Sequence, residues 1–176
     1  MMLLQVEKMS TKKLTILSIL TAVSLVLGYI ESLFILPFPV PGIKLGLANV
    51  AILLAIYILG RKQALLLLLA KVLLSAVLFA GLAGTLYSLI GGLLSWFTMS
   101  MLYKHKGFSP AGVSVAGAAA HNLGQILIAM LLTGSTVIFS YFPVLLFAGT
   151  IFGLITGIIA YMVIYAMNKN NKISVL

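Results

Sequence analysis

The feature that most constrains the fold is a series of six apolar stretches joined by short polar connections. They lie near residues 14–36, 43–59, 64–80, 85–103, 111–132 and 141–167. A helix needs about 20 residues, with a range of roughly 17 to 25, to cross ~30 Å of hydrocarbon. Membrane strands need only about 9 to 11 residues and alternate with period two, which these stretches do not. The sequence therefore predicts an all-α membrane protein, a bundle of six transmembrane helices.

Composition favours a bundle that is embedded in lipid. Of the 176 residues, 62% are hydrophobic and 7% are charged, whereas soluble domains carry about 25% charged residues. The first stretch follows several lysines, as in a signal peptide. It is longer than the apolar region of most signal peptides, and no small-residue cleavage site follows it. We therefore expect this stretch to be retained as the first helix.

The positions of the basic residues predict the orientation of the bundle. If the amino terminus is cytoplasmic, nine of the eleven basic residues lie on the cytoplasmic side, and only Lys44 and Lys71 do not. Because cytoplasmic loops are enriched in lysine and arginine, we expect both termini in the cytoplasm. The predicted organisation is a cytoplasmic tail at 1–13, one transmembrane domain at 14–167 and a cytoplasmic tail at 168–176.

A net charge of +9 would suggest nucleic-acid binding in a soluble protein. Here the cations lie between apolar stretches and form no continuous face with interleaved aromatic side chains. We therefore interpret the charge as a topology signal and expect no nucleic-acid partner.

A few polar side chains lie inside the apolar stretches, where an ionisable group costs on the order of 2.5 to 3.5 kcal/mol at a helix centre. Lys71 and His121 lie near the middle of the third and fifth stretches, so we expect them at similar depth. In "HNLGQ", His121 and Gln125 are four residues apart and Asn122 and Gln125 are three apart, so they can share a helical face. This set predicts a ligand cavity open to the outside, and the alternative is structural hydrogen bonding.

Other polar groups are expected nearer the entrance of that cavity. Glu31 lies towards the outer end of the first stretch, and Asn49 lies just inside the second. Between them, "PFPVPGIKLGLAN" has three prolines that end the first helix, and Lys44 precedes a helix amino terminus that favours anions. We expect this connection to form a lid or floor of the site. The alternatives are a rigid turn and the pairing of Glu31 with Lys44 or Lys71.

Small residues recur at helical spacing and let helix backbones approach closely in lipid. On the first stretch, Ser18 and Ala22, or Ser24 and Gly28, are candidates for docking another membrane subunit. The alternative is packing inside the bundle. Comparable stripes are Gly84, Ser88 and Gly92; Gly112, Ala116, Ala120 and Gly124; and Gly149, Gly153 and Gly157.

The residue types present argue against an enzyme. The sequence has no cysteine, so thiolate metal sites and cysteine nucleophiles are excluded, and it has only two acidic residues, neither of them aspartate. Magnesium-bound diphosphate is normally held by clusters of carboxylates. There is no GxxxxGK[ST] phosphate loop, and no serine has a base and an acid at recognisable spacing. We predict no catalytic residue, no metal site and no evident cofactor.

Four features together resemble the family labelled both Gx transporter and heptaprenyl diphosphate synthase component I. They are "PGIKLGLAN", Lys71, "SLIGGLLS" at 88–95 and "GAAAHNLGQ" at 117–125. The resemblance covers about residues 12–167, and that family is similar to the substrate-binding S components of energy-coupling factor (ECF) importers. It implies six helices, cytoplasmic termini, a ligand pocket open to the outside and a first helix that docks a coupling subunit. ATP-driven transport would then need separate ATPase subunits.

Three functions follow from these observations. The first is a membrane-embedded binding subunit that captures a small polar or anionic organic solute, such as a vitamin-like compound, and passes it inward with partner subunits. Its expected ligand-binding residues are Lys71, His121, Asn122 and Gln125, with Glu31, Lys44 and Asn49 nearer the entrance. The second is a membrane component of electron transfer that binds a quinone or flavin and redox partners. The third is a non-catalytic partner in polyprenyl diphosphate synthesis.

Overall fold

A computed structural model describes residues 10–33 and 46–169, and these residues form six α-helices. The helices are α1 (Thr11–Leu33), α2 (Asn49–Ile58), α3 (Arg61–Ser75), α4 (Gly81–Leu102), α5 (Pro110–Thr133) and α6 (Phe142–Lys169). A π-helical segment, Ala76–Ala80, joins α3 to α4, and a 3₁₀ segment, Thr136–Tyr141, precedes α6. The described part of the chain contains no strand, so the predicted all-α class is confirmed.

Four helical stretches are long and apolar enough to cross a membrane by length and composition. They are Thr11–Leu33, Arg61–Leu102, Pro110–Thr133 and Thr136–Lys169. The apolar helix α2 has only 10 residues and spans about 15 Å, roughly half of the hydrocarbon thickness. Residues 49–56 of α2 are all buried, so this short helix lies in the centre of the bundle. The number of complete spans and the side on which the termini lie stay predictions.

The stretch Arg61–Leu102 folds back on itself. As one straight helix, its 42 residues would span about 63 Å, which is twice the thickness of the hydrocarbon. The chain turns at Gly81, whose φ of +63° is open to glycine and rarely adopted by other residues. As a result, Trp96 Nε1 on α4 donates a hydrogen bond to the Arg61 carbonyl at the start of α3, at 3.0 Å. Helices α3 and α4 are therefore antiparallel neighbours, in line with the two separate stretches in the sequence.

Small residues bring α4, α5 and α6 into close contact. If Gly124 of α5 were replaced by alanine, the added methyl group would lie 2.8 Å from the Cα atom of Gly91 on α4. On α6, a methyl group on Gly153 would lie 2.9 Å from the Cα atom of Val115. Lipid tails are as apolar as the helix surfaces, so the hydrophobic effect does not drive helices together in a membrane. The van der Waals contacts between closely packed backbones stabilise the bundle instead. These glycines therefore serve packing inside the bundle, which was one of the two predicted roles of the small-residue stripes.

Candidate ligand-binding site

The residues that lead into α2 form the centre of the candidate site. Gly46 has φ +88°, and its carbonyl accepts a hydrogen bond from the Asn49 backbone N–H at 2.9 Å. Its own N–H donates to Oε1 of Glu31, which is 5% exposed on α1. A hydrogen bond from a backbone N–H stabilises a buried carboxylate. Glu31 therefore ties the end of α1 to the start of α2.

Asn49 lies in the first turn of α2 with its side chain buried, at 7% exposure. A methyl group on Gly46 would lie 2.9 Å from Asn49 Nδ2 and 3.5 Å from His121 Cδ2, so the three residues meet at one point. Among the described residues, neither Nδ2 nor Oδ1 of Asn49 has a hydrogen-bond partner. Burying an amide in this way costs on the order of 1 to 3 kcal/mol, and most buried polar groups avoid it.

His121 reaches this point from α5. Its side chain is 3% exposed and packs between Gly46 and α4. A methyl group on Gly91 of α4 would lie 2.9 Å from the His121 carbonyl oxygen and 3.0 Å from its Nδ1. The α4 backbone therefore forms one wall around the imidazole, and only glycine leaves room for it at this position. The contribution of Gly91 was missed from the sequence, because helical spacing does not reveal which helix faces a given side chain.

Lys71 borders residues 46–49 from α3. Its side chain is 5% exposed. A methyl group on Gly28 of α1 would lie 3.9 Å from Lys71 Cε and 4.0 Å from the Cβ atom of Ala48. The aliphatic part of the Lys71 side chain thus lies beside α1, and Ala48 of segment 46–49 is near the same glycine. The structure therefore brings Glu31, Asn49 and His121 together at Gly46, and Lys71 lies next to Gly28, which also neighbours Ala48.

The neighbouring polar residues of α5 differ from one another in what they contact. Asn122 is fully buried, and its Nδ2 donates to the Leu145 carbonyl of α6 at 2.6 Å. This contact has the structural role that the sequence analysis kept as the alternative for Asn122. Gln125 is also fully buried, one turn beyond His121 on α5. Lys44, like the three prolines that precede it, lies outside the described residues.

The four candidate docking residues of α1 lie on two different faces. Ser24 and Gly28 are buried, and Ser24 Oγ donates to the Ala48 carbonyl at 3.4 Å, so these two residues pack against the chain's own helices. Ser18 and Ala22 lie instead on an open groove of about 380 Å³ between α1 and α3. Leu17, Thr21, Leu25, Ala70 and Leu74 complete its lining. Ser18 Oγ donates to the Leu14 carbonyl of its own helix at 3.0 Å, which leaves a largely apolar groove.

The described residues contain no group of three histidine, cysteine, aspartate or glutamate side chains that could hold a metal ion. The polar groups at residues 46–49 are one carboxylate, one amide, one ammonium group and one imidazole. Their chemistry is that of the polar, charged site that the sequence analysis predicts for an organic ligand.

Comparison with known proteins gives two matches. The model of the family described as heptaprenyl diphosphate synthase component I matches residues 20–163. Among solved structures, the fold is similar to that of the S component of a bacterial ECF transporter, with a TM-score of 0.56 and 22% sequence identity over 92% of this chain and 95% of that chain. No curated protein matches the chain in sequence.

The two matches bear on several predictions. Both the suspected family and the resemblance to S components are confirmed. With its long apolar helices, the chain is a multi-pass membrane protein with an S-component-like fold. Neither match supports a link to quinones.

Proposed function

Because the chain belongs to the heptaprenyl diphosphate synthase component I family, and has the fold of an S component, we propose that it is a membrane-embedded substrate-binding subunit. It captures a small polar or anionic organic solute at residues 46–49 and passes it inward with partner subunits. Six spans with both termini in the cytoplasm are part of this proposal. The solved structure that it resembles is a component of an ECF transporter, which supports transport over an isolated membrane anchor.

The observation that carries this proposal is the buried amide of Asn49. Its Nδ2 donor and its Oδ1 acceptor form no hydrogen bond within the described residues. The amide lies next to His121 and to Gly46, whose N–H donates to Glu31. If the side chain at position 49 served only for packing, an apolar residue there would make the protein more stable. A ligand with both an acceptor and a donor offsets the cost of this burial. Lys71, which lies next to Gly28 of α1, supplies the positive charge for an anionic group.

The test is native mass spectrometry of the gently solubilised protein, read for bound small molecules. The Asn49→Leu variant removes the amide at nearly constant volume and should lose the bound mass while its melting temperature stays close to that of the wild type. Asn122→Leu is the matched control, because Asn122 is hydrogen-bonded to Leu145, and it should lower the melting temperature instead. Full retention of the bound molecule by Asn49→Leu would contradict the proposal.

The groove at Ser18 and Ala22 is the proposed docking face for a coupling subunit. It is open and largely apolar, and small residues on it allow close approach of another helix. Replacing Ala22 by leucine should fill the groove and reduce copurification of the coupling and ATPase subunits. Ala83→Leu makes the same change at an exposed position of α4 and should leave copurification unchanged.

The family description names a synthase component, and we propose that this chain has no catalytic role in prenyl transfer. The sequence has no aspartate, and its two glutamates cannot form the paired carboxylate clusters that hold magnesium-bound diphosphate. Purified protein should therefore show no prenyl transfer when it is supplied with an allylic diphosphate, isopentenyl diphosphate and Mg²⁺. Chain elongation by the purified polypeptide would overturn this view.

A further inference from the structure

A second polar cluster lies at the other end of α2, away from the candidate site. Tyr103, just after α4, has the Arg61 Cζ atom 5.1 Å from its ring centroid and the Lys104 Nζ atom 5.7 Å from it. Tyr57 contacts the same ring edge to face, at a centroid distance of 5.8 Å. Residues of α2 and α3 and the residues that follow α4 thus form a site in which two cations each contact one aromatic ring. We call Arg61, Tyr103 and Lys104 the cation–tyrosine cluster.

Within residues 10–33 and 46–169, no carboxylate neutralises this charge. It has eleven basic residues and two acidic ones. Glu31 accepts its hydrogen bond from Gly46, at the opposite end of α2 from Arg61. Arg61 and Lys104 form no ion pair with any carboxylate in the described part of the chain, and Lys62 and Lys106 add two further exposed cations nearby in sequence. The cluster therefore presents a positive charge that the described residues leave available to an anionic molecule.

The surface of α4 beside the cluster indicates what kind of molecule carries that charge. Phe97 and Met101 are 55% and 63% exposed and lie four residues apart, so they share one face of α4, and Tyr103 and Lys104 directly follow the end of this helix. The hydrogen bond from Trp96 to the Arg61 carbonyl holds the start of α3 beside this face. An exposed apolar face thus lies on the helix that ends at the two cations. This arrangement matches a molecule with an apolar chain and an anionic head.

We propose that the cation–tyrosine cluster binds the headgroup phosphate of an anionic phospholipid, with one acyl chain along Phe97 and Met101. Arginine offers several N–H donors in a planar fork that suits phosphate oxygens, and lysine adds a point charge. Basic pockets between transmembrane helices bind anionic headgroups by the same chemistry. The leaflet concerned is the one that the charge pattern predicts to be cytoplasmic. The inference does not depend on which solute the protein carries.

The test compares lipid retention by purified protein in nanodiscs of equal parts phosphatidylglycerol and phosphatidylcholine. After transfer to detergent, native mass spectrometry should show the wild type retaining phosphatidylglycerol about tenfold over phosphatidylcholine. The double variant Arg61→Gln/Lys104→Gln should lose this preference. Lys12→Gln/Lys13→Gln removes the same charge from α1 and should keep it. Equal loss in the two double variants, or an unchanged preference in the first, overturns the proposal.

Two further variants separate a lipid site from a phosphate site and from unfolding. Phe97→Gln/Met101→Gln should weaken phosphatidylglycerol retention while Arg61 and Lys104 remain, because the acyl contact is lost. Arg61→Lys/Lys104→Arg keeps both charges and should retain most of the preference, and an unchanged melting temperature of the glutamine variant excludes unfolding as the cause of its loss. If inorganic phosphate at millimolar concentration displaces the lipid, the site is one for a soluble anion. If an acidic protein loop copurifies there in place of lipid, the partner is a protein. Either result overturns the proposal.

Discussion

The backbone N–H of Gly46 donates a hydrogen bond to the Glu31 carboxylate, which joins α1 to the start of α2 at the centre of the candidate site. Because the Glu31 side chain is buried, the bond satisfies its charge together with a backbone donor. It also holds Gly46 next to Asn49 and His121. The geometry of the site therefore depends on this contact between two helices.

Two substitutions of Glu31 distinguish the contribution of its hydrogen bond to stability from that of its negative charge. In Glu31→Gln the amide oxygen still accepts from Gly46, so we expect little change in stability. In Glu31→Leu the Gly46 N–H loses its acceptor, which should lower the free energy of unfolding by about 1 to 3 kcal/mol. Thermal unfolding in detergent measures both variants. Equal destabilisation by glutamine and leucine would show that charge, rather than the hydrogen bond, stabilises the contact.

Gly46→Ala should distort the site itself. The added methyl group would lie 2.9 Å from Asn49 Nδ2, and the φ of +88° is strained for alanine. Gly134→Ala is the control, because Gly134 has φ +67° with no atom within 4 Å of an added methyl group. Each should lose about 1 to 2 kcal/mol from the backbone strain. Only Gly46→Ala should also reduce the bound ligand in native mass spectra, and equal ligand loss in both variants would refute a local effect.

Gly91→Ala tests the wall around His121. The methyl group would lie 2.9 Å from the His121 carbonyl oxygen, so α4 and α5 must separate, at about 1 to 3 kcal/mol of stability. At Gly84 of the same helix the nearest atom, Ala80 Cβ, is 3.6 Å away, and Gly84→Ala should be close to neutral. Unfolding midpoints of the two variants measure the difference. A neutral Gly91→Ala would mean that the helices do not pack as closely as described.

The two buried asparagines should respond differently to leucine. Asn122 donates to the Leu145 carbonyl, so Asn122→Leu should lower stability by about 1 to 3 kcal/mol. Asn49→Leu removes an amide without a partner in the described structure and should leave stability unchanged or raise it. Denaturant unfolding of ligand-free protein makes the comparison. A marked destabilisation by Asn49→Leu would point to a hydrogen bond for Asn49 and weaken its assignment to the ligand.

Lys71→Met keeps most of the side-chain stem beside Gly28 and removes the ammonium group. Because an anionic ligand loses its positive partner, we expect its retention in native mass spectra to fall tenfold or more. The fold should persist, because methionine keeps the apolar stem in contact with Gly28. Unchanged retention would remove Lys71 from the ligand site.

Much of the fold follows from sequence pattern, but the neighbours of each polar residue do not. His121 and Asn122 are adjacent on α5 and were both assigned to one cavity. A helix turns by about 100° per residue, so His121 packs at Gly46 and Gly91 while Asn122 bonds to α6. On α1, Ser18 and Ala22 have the same four-residue spacing as Ser24 and Gly28. The first pair lies on an open groove and the second is buried.

The amino-acid sequence by itself determined that this chain is helical, membrane-embedded and polar at only a few interior positions, because lipid admits few charges and requires backbone groups to bond within each helix. Tertiary structure alone decided that α2 is a short central helix and that Glu31, Asn49 and His121 meet at Gly46, with Lys71 next to Gly28. The reason is that helical periodicity sets the direction of a side chain relative to its own axis. The rotation and approach of neighbouring helices depend on contacts between distant residues, such as Gly91 with His121.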